Sequence, residues 1–131
     1  ETGHLVFTTL HTNSAAQTAD RIVSVFPPHL QQQVASQLAN VLLGVVSQRL
    51  IPKIGGGRVM ASEIMIANSA IKTLIREGKN FQIPNVIQTS ASEGMISLDK
   101  VLAEYVSRGD ITLEDALAWS LDPKSFKMMV Y

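Results

Sequence analysis

The sequence has no cysteine, one tryptophan and only 5% aromatic residues. Without thiols it can form neither a disulfide framework nor a thiolate metal site. No uninterrupted apolar run approaches the ~20 residues that a membrane-spanning helix needs. No charged region with a long apolar core opens the chain, so no signal peptide is read there. Neither sign of charge is in excess, with 11 basic and 11 acidic residues and a formal net charge of zero. No global field would draw nucleic acid or an anionic bilayer, and nucleic acid is not an expected partner. What is present is apolar matter: 46% of residues are hydrophobic and 17% charged. That is the composition of a packed domain. The length of 131 residues suits one domain or two small ones.

The chain opens on Glu1-Thr2-Gly3, which reads as a helix end capped by Gly3. A strand follows at once in His4–Leu10, apolar on both faces, as expected of a buried strand in a parallel sheet. A chain rarely begins at the last turn of a helix, so a C-terminal piece of a longer protein is expected. Asn13 or Ser14 can cap a helix through Val25, with Ala19, Ile22, Val25 and Phe26 on one stripe. A second helix is predicted from His29, carrying Leu30, Val34, Leu38, Val41 and Leu42. Val45–Ile51 and Val59–Ile66 read as two strands of an antiparallel hairpin, joined by the loop with Gly55-Gly56-Gly57. Beyond Asn68 the pattern is helical. Ser69 can cap a helix over Ala70–Glu77 that stops at Gly78, and a short helix is predicted at Pro84. A longer helix is expected from Met95 to Gly109. Thr112 with Asp115 forms a capping box for another through Trp119, which Asp122-Pro123 breaks. The composition therefore divides the chain into a mixed α/β part, residues 1–68, and a helical part, residues 69–131.

Three groups of residues could carry chemistry. His11 stands where a strand gives way to a helix-capping loop, with Thr9 and Thr12 beside it. An imidazole and hydroxyls at that position suit a phosphate. On spacing alone, His4 and His11 can equally be structural histidines. They differ by an odd number of positions, so a regular strand would point them to opposite faces. With no third clustered ligand, no metal site is read. The second group is Ala70, Ile71, Lys72, Thr73, Leu74, Ile75, Arg76 and Glu77. By pattern it is an amphipathic helix, with Ile71, Leu74 and Ile75 inward and the charges solvated. The third is Glu63, a hairpin acid expected to be solvated or paired. Arg21, Arg49 and Arg58 are generic candidates for an arginine acting in trans, with surface ion pairs as the alternative. No G-x-x-x-x-G-K-[ST] phosphate cradle occurs.

The stretch His4, Leu5, Val6, Thr9, Leu10, His11, Thr12, Ser14 and Ala15 resembles the "His box" of the secretion and pilus motor ATPases. Ala70–Glu77 resembles the A-I-R-N-L-I-R-E motif of the pilus retraction (PilT) family, with Lys72 and Thr73 departing from it. Gly55–Arg58, Glu63–Ile66, Ile87–Thr89 and Gly94-Met95 match that family in order. The resemblance implies an α/β fold, the C-terminal part of a RecA-like P-loop NTPase core in residues 1–68, followed by a helical C-terminal region. It implies a hexameric motor that couples ATP hydrolysis, with magnesium, to type IV pilus retraction and twitching motility. Such a motor would lie in the cytoplasm, against the inner face of the cell membrane at the pilus base, and dock on a membrane platform protein. His11 would act at the γ-phosphate with Thr9 and Thr12, and the Ala70–Glu77 helix would transmit motion. Lacking the Walker A and Walker B segments, these 131 residues alone are expected to be inactive. Two alternatives stand beside this reading: a related pilus-extension or type II secretion ATPase, and a non-catalytic assembly or docking module.

Overall fold

A computed structural model describes residues 2–131. Glu1, part of the expected helix end, lies outside the described residues. Gly3 does adopt the left-handed conformation, at φ +86°. Seven α-helices and one hairpin are found among the described residues: α1 (Ala15–Ser24), α2 (Pro28–Val41), β1 (Gly44–Pro52), β2 (Arg58–Ile66), α3 (Ser69–Arg76), α4 (Ile83–Thr89), α5 (Leu98–Arg108), α6 (Leu113–Trp119) and α7 (Pro123–Val130). No helix is long and apolar enough to cross a membrane, among the described residues.

The hairpin forms as its sequence predicts. Val46 faces Ile64 and Leu50 faces Met60 in an antiparallel register. Its loop passes through Gly55, Gly56 and Gly57 at φ +89°, +111° and +74°. Three successive left-handed residues are a path that only glycine follows without strain.

The expected strand His4–Leu10 does not form. Its residues are extended, belong to no sheet and are exposed, with Val6 at 75% and Phe7 at 88%. The reason is supply: a strand needs a neighbour's backbone groups, and the two strands among the described residues pair with each other.

Several helices differ in detail from expectation. In α1 Ala15, Thr18 and Ala19 are buried, whereas Val25 and Phe26 are exposed. In α2 the small residues Ala35 and Ala39 are the buried ones, because α1 and α3 pack close against it. Asn68, not Ser69, caps α3 by accepting from the Ile71 N–H at 3.0 Å. The helix expected from Met95 starts only at Leu98, behind the cap Ser97. Met95 is buried ahead of it, and Ile96 pairs with Ile64 through two backbone hydrogen bonds. Asp122-Pro123 starts a helix as well as ending one. Asp122 accepts from the Lys124 and Ser125 N–H groups, and Pro123 takes the first turn of α7.

Two apolar clusters hold the chain together. The first joins α1, α2 and α3 with Met65, Ile83, Ile87 and Met95. The second joins the loop end of the hairpin, through Ile51 and Ala61, to Leu102, Ile111, Ala116 and Phe126. Each draws residues from both sides of Asn68.

Candidate nucleotide-site loop and its supports

His11 lies in the segment that leads into α1. It is exposed, as is Thr9, and Thr12 is half-buried. The turn after them is firmly tied. Ser14 caps α1 by accepting from the Gln17 N–H at 3.2 Å. Asn13 donates its N–H to Gln17 Oε1 at 3.0 Å. The Thr12 and Thr18 hydroxyls are 2.6 Å apart, and Thr18 Oγ1 also donates to the Ser14 carbonyl at 3.0 Å. His11 is therefore an exposed residue directly ahead of a turn held to the start of α1 by side-chain hydrogen bonds. His4 is exposed too, with Nδ1 3.3 Å from Thr2 Oγ1. A structural role for His4 depended on the strand that does not form.

Glu63 is the residue that sequence reasoning placed wrongly. It is 5% exposed on β2, and Oε1 accepts the Ala15 N–H, the first of α1, at 2.9 Å. Burial raises its pKa above the ordinary 4.5. The Ala15 and Leu98 N–H groups pull the other way, with smaller effects from Asp99, which raises it, and Arg49, which lowers it. Strand parity was the available signal, because Ala61, Glu63 and Met65 share one face and the outer two are fully buried. Asp99, in the first turn of α5, is also buried. It accepts from Ser120 Oγ at 2.9 Å and from the Leu121 and Asp122 N–H groups at 2.9 and 3.1 Å.

The Ala70–Glu77 segment forms α3 and its cap. Ile71 and Ile75 are buried and Leu74 half-buried, while Ala70, Thr73, Arg76 and Glu77 are exposed and Lys72 is intermediate. Arg76 is not left free. Its Nη2 donates to Asn40 Oδ1 of α2 at 3.4 Å, and its carbonyl accepts from Gln32 Nε2 at 3.0 Å. Glu77 pairs with Lys79 at 3.1 Å. The structure does not bring α3 against the His11 loop. They are linked indirectly, since Asn80, just beyond α3, donates to Asp20 of α1 at 2.7 Å. Arg49 lies over the Trp119 ring at 6.0 Å, and Arg21 and Arg58 are exposed. Among the described residues no three His, Cys, Asp or Glu side chains cluster as a metal site would require.

Comparison with known proteins sets the class: a segment of a secretion-type ATPase. The model of the type II/IV secretion system protein family matches residues 1–56. The type IV pilus retraction ATPase PilT of Pseudomonas aeruginosa is 52% identical over 126 residues, covering 96% of this chain and 37% of that protein. A twitching motility protein of Neisseria gonorrhoeae is 50% identical over 117 residues, covering 88% of this chain and 31% of that protein. The crystal structure of the pilus retraction motor PilT with bound ADP superposes with a TM-score of 0.86 at 48% identity, covering 98% of this chain and 36% of that one. The chain belongs to the secretion and pilus motor ATPase family, in its PilT branch. It spans about a third of the length of these relatives.

Proposed function

We propose that the protein to which these residues belong is an ATP-hydrolysing motor that retracts type IV pili and so drives twitching motility. The observation that carries this reading is the 52% identity to a pilus retraction ATPase along 96% of the chain. In it, residues 1–68 complete a RecA-like core and residues 69–131 form the helical region. ATP is the fuel, consistent with ADP in the related motor structure. The chain's own groups fit the phosphate end of a nucleotide. His11 would hold or donate a proton at a γ-phosphate oxygen, and the Thr9 and Thr12 hydroxyls would donate to its neighbours. Such donors act most strongly as charge redistributes in the transition state. Among the described residues no acid cluster would hold magnesium. That ion would be held by other parts of the motor. The working form is a homo-oligomer, a hexameric ring, docked on a membrane platform protein at the inner face of the cell membrane. Without a phosphate cradle of their own, these 131 residues alone are expected to be inactive.

In this reading α3 transmits motion. Its apolar side is anchored by Ile71 and Ile75, and Asn80–Asp20 ties its end to the helix that the His11 loop feeds. Arg76→Ala in the full-length motor should keep most ATPase activity and reduce retraction, measured as twitching on the same variant. Loss of both to background would place Arg76 in catalysis or assembly instead. A motor of the extension or secretion type would show no retraction defect on this variant. A pure docking module would show no stabilisation of the full-length protein by Mg-ATP in thermal unfolding, where a real site stabilises by mass action.

A further inference from the structure

The buried carboxylate of Glu63 has no part in the reading above. It lies on the inner face of β2, where α1 and α5 begin. Oε1 accepts the first N–H of α1, from Ala15, at 2.9 Å. The Leu98 N–H, the first of α5, acts on the same carboxyl group and lowers its pKa. The Ile64–Ile96 pair, with N···O distances of 2.9 and 3.1 Å, fixes the approach to α5 against the same strand independently. One acceptor-only group thus serves the starts of two helices, one from each apolar cluster. Each start has its own serine cap, Ser14 and Ser97, so Glu63 is an addition to the usual capping arrangement.

We infer that Glu63 is a positioning residue, which clamps the turn that presents His11 to the start of α5 and thereby ties the γ-phosphate side to the helical region. This rests on the reading of His11 given above. The clamp extends further, because the next residue of α5, Asp99, holds the α6–α7 junction through Ser120, Leu121 and Asp122. A carboxylate is the only side chain of this size that accepts on both arms. Glutamine replaces one acceptor oxygen with an NH2 group that only donates.

The test is made in the full-length motor, with Glu63→Gln, His11→Ala and the double variant. Glu63→Gln should lower kcat about tenfold with KM and ADP affinity within about twofold, the pattern of a group that matters only beyond the ground state. The double variant should turn over no more slowly than His11→Ala alone, because Glu63 acts through His11. Multiplying defects would overturn the inference, as would normal turnover of Glu63→Gln when His11→Ala is impaired. Normal turnover of His11→Ala would instead remove the reading of His11, and the clamp's catalytic role with it. Should Glu63→Gln fail to fold, wild-type amide exchange decides. ADP should slow exchange at Leu98 as well as at Ala15. Protection at Ala15 alone, or at neither, contradicts the clamp.

Discussion

The segment His4–Leu10 and strand β2 have much the same character in sequence, and the structure treats them oppositely. Both are short, apolar and rich in strand-forming residues. β2 is paired along its length and buries Ala61, Glu63 and Met65. Leu5, Val6 and Phe7 face solvent with no strand beside them. Propensity describes what fits a pleated, half-buried surface. The surface itself must come from another part of a chain, and β1 supplies it to β2 alone.

The contrast is sharpest between two residues of one type, Phe7 at 88% exposure and Phe126 at 0%. Phe126→Ala should cost the 131-residue chain about 3–5 kcal/mol, from lost burial and the cavity left behind. Phe7→Ala should cost less than about 0.5 kcal/mol. Denaturant unfolding of both variants measures the difference, and equal effects would mean that the segment packs in solution. Asp99→Ala comes next, at roughly 2–4 kcal/mol. It removes an acceptor from one hydroxyl and two backbone N–H groups. Asn68→Ala should cost about 1 kcal/mol by uncapping α3, whereas Ser69→Ala should be nearly silent.

The smallest effect is a pH dependence with opposite signs in two places. The Glu63 pKa is raised from 4.5, chiefly by burial. The folded form therefore keeps a proton that the unfolded chain releases. That contribution is complete below 4.5 and is lost as pH rises through the higher folded value. The Asp122 pKa is lowered from 3.8, first by the Ser125 hydroxyl, which donates at 2.7 Å. Its contribution is present above 3.8 and is lost as pH falls. Glu63→Gln should remove the decline on the alkaline side of 4.5, and Asp122→Asn should soften the acid limb. Unfolding curves between pH 3 and 8 (about one pH unit apart) resolve the two.

Much of this was legible from local pattern. The hairpin ends, the cap at Ser14 and the stop at Gly109, with φ +77°, are written in alternation, capping residues and glycine. The Thr112 cap of α6 is too, with its hydroxyl accepting from the Asp115 N–H at 3.0 Å. What was not legible depended on partners. His4–Leu10 has the residues of a strand and lacks a neighbour. Val25 and Phe26 continue an apolar stripe past the point where α1 has anything to cover. Asp122-Pro123 was read as a breaker, although an Asp cap followed by Pro in the first turn is a helix start. Glu63 was misjudged by its charge when its parity placed it inward. For the site, the position of His11 before a helix cap could be read directly. The two buried acids, Glu63 and Asp99, could not be recognised as anchors until the backbone groups that they accept from were in place.

The role of His11 is tested most directly by one comparison: steady-state ATP turnover and nucleotide affinity of the full-length motor, wild type against His11→Ala. A γ-phosphate residue acts mainly in the transition state, so kcat should fall on the order of a hundredfold while nucleotide affinity changes little. Normal turnover at saturation, with or without weakened nucleotide affinity, would contradict it and leave His11 as a binding or structural residue.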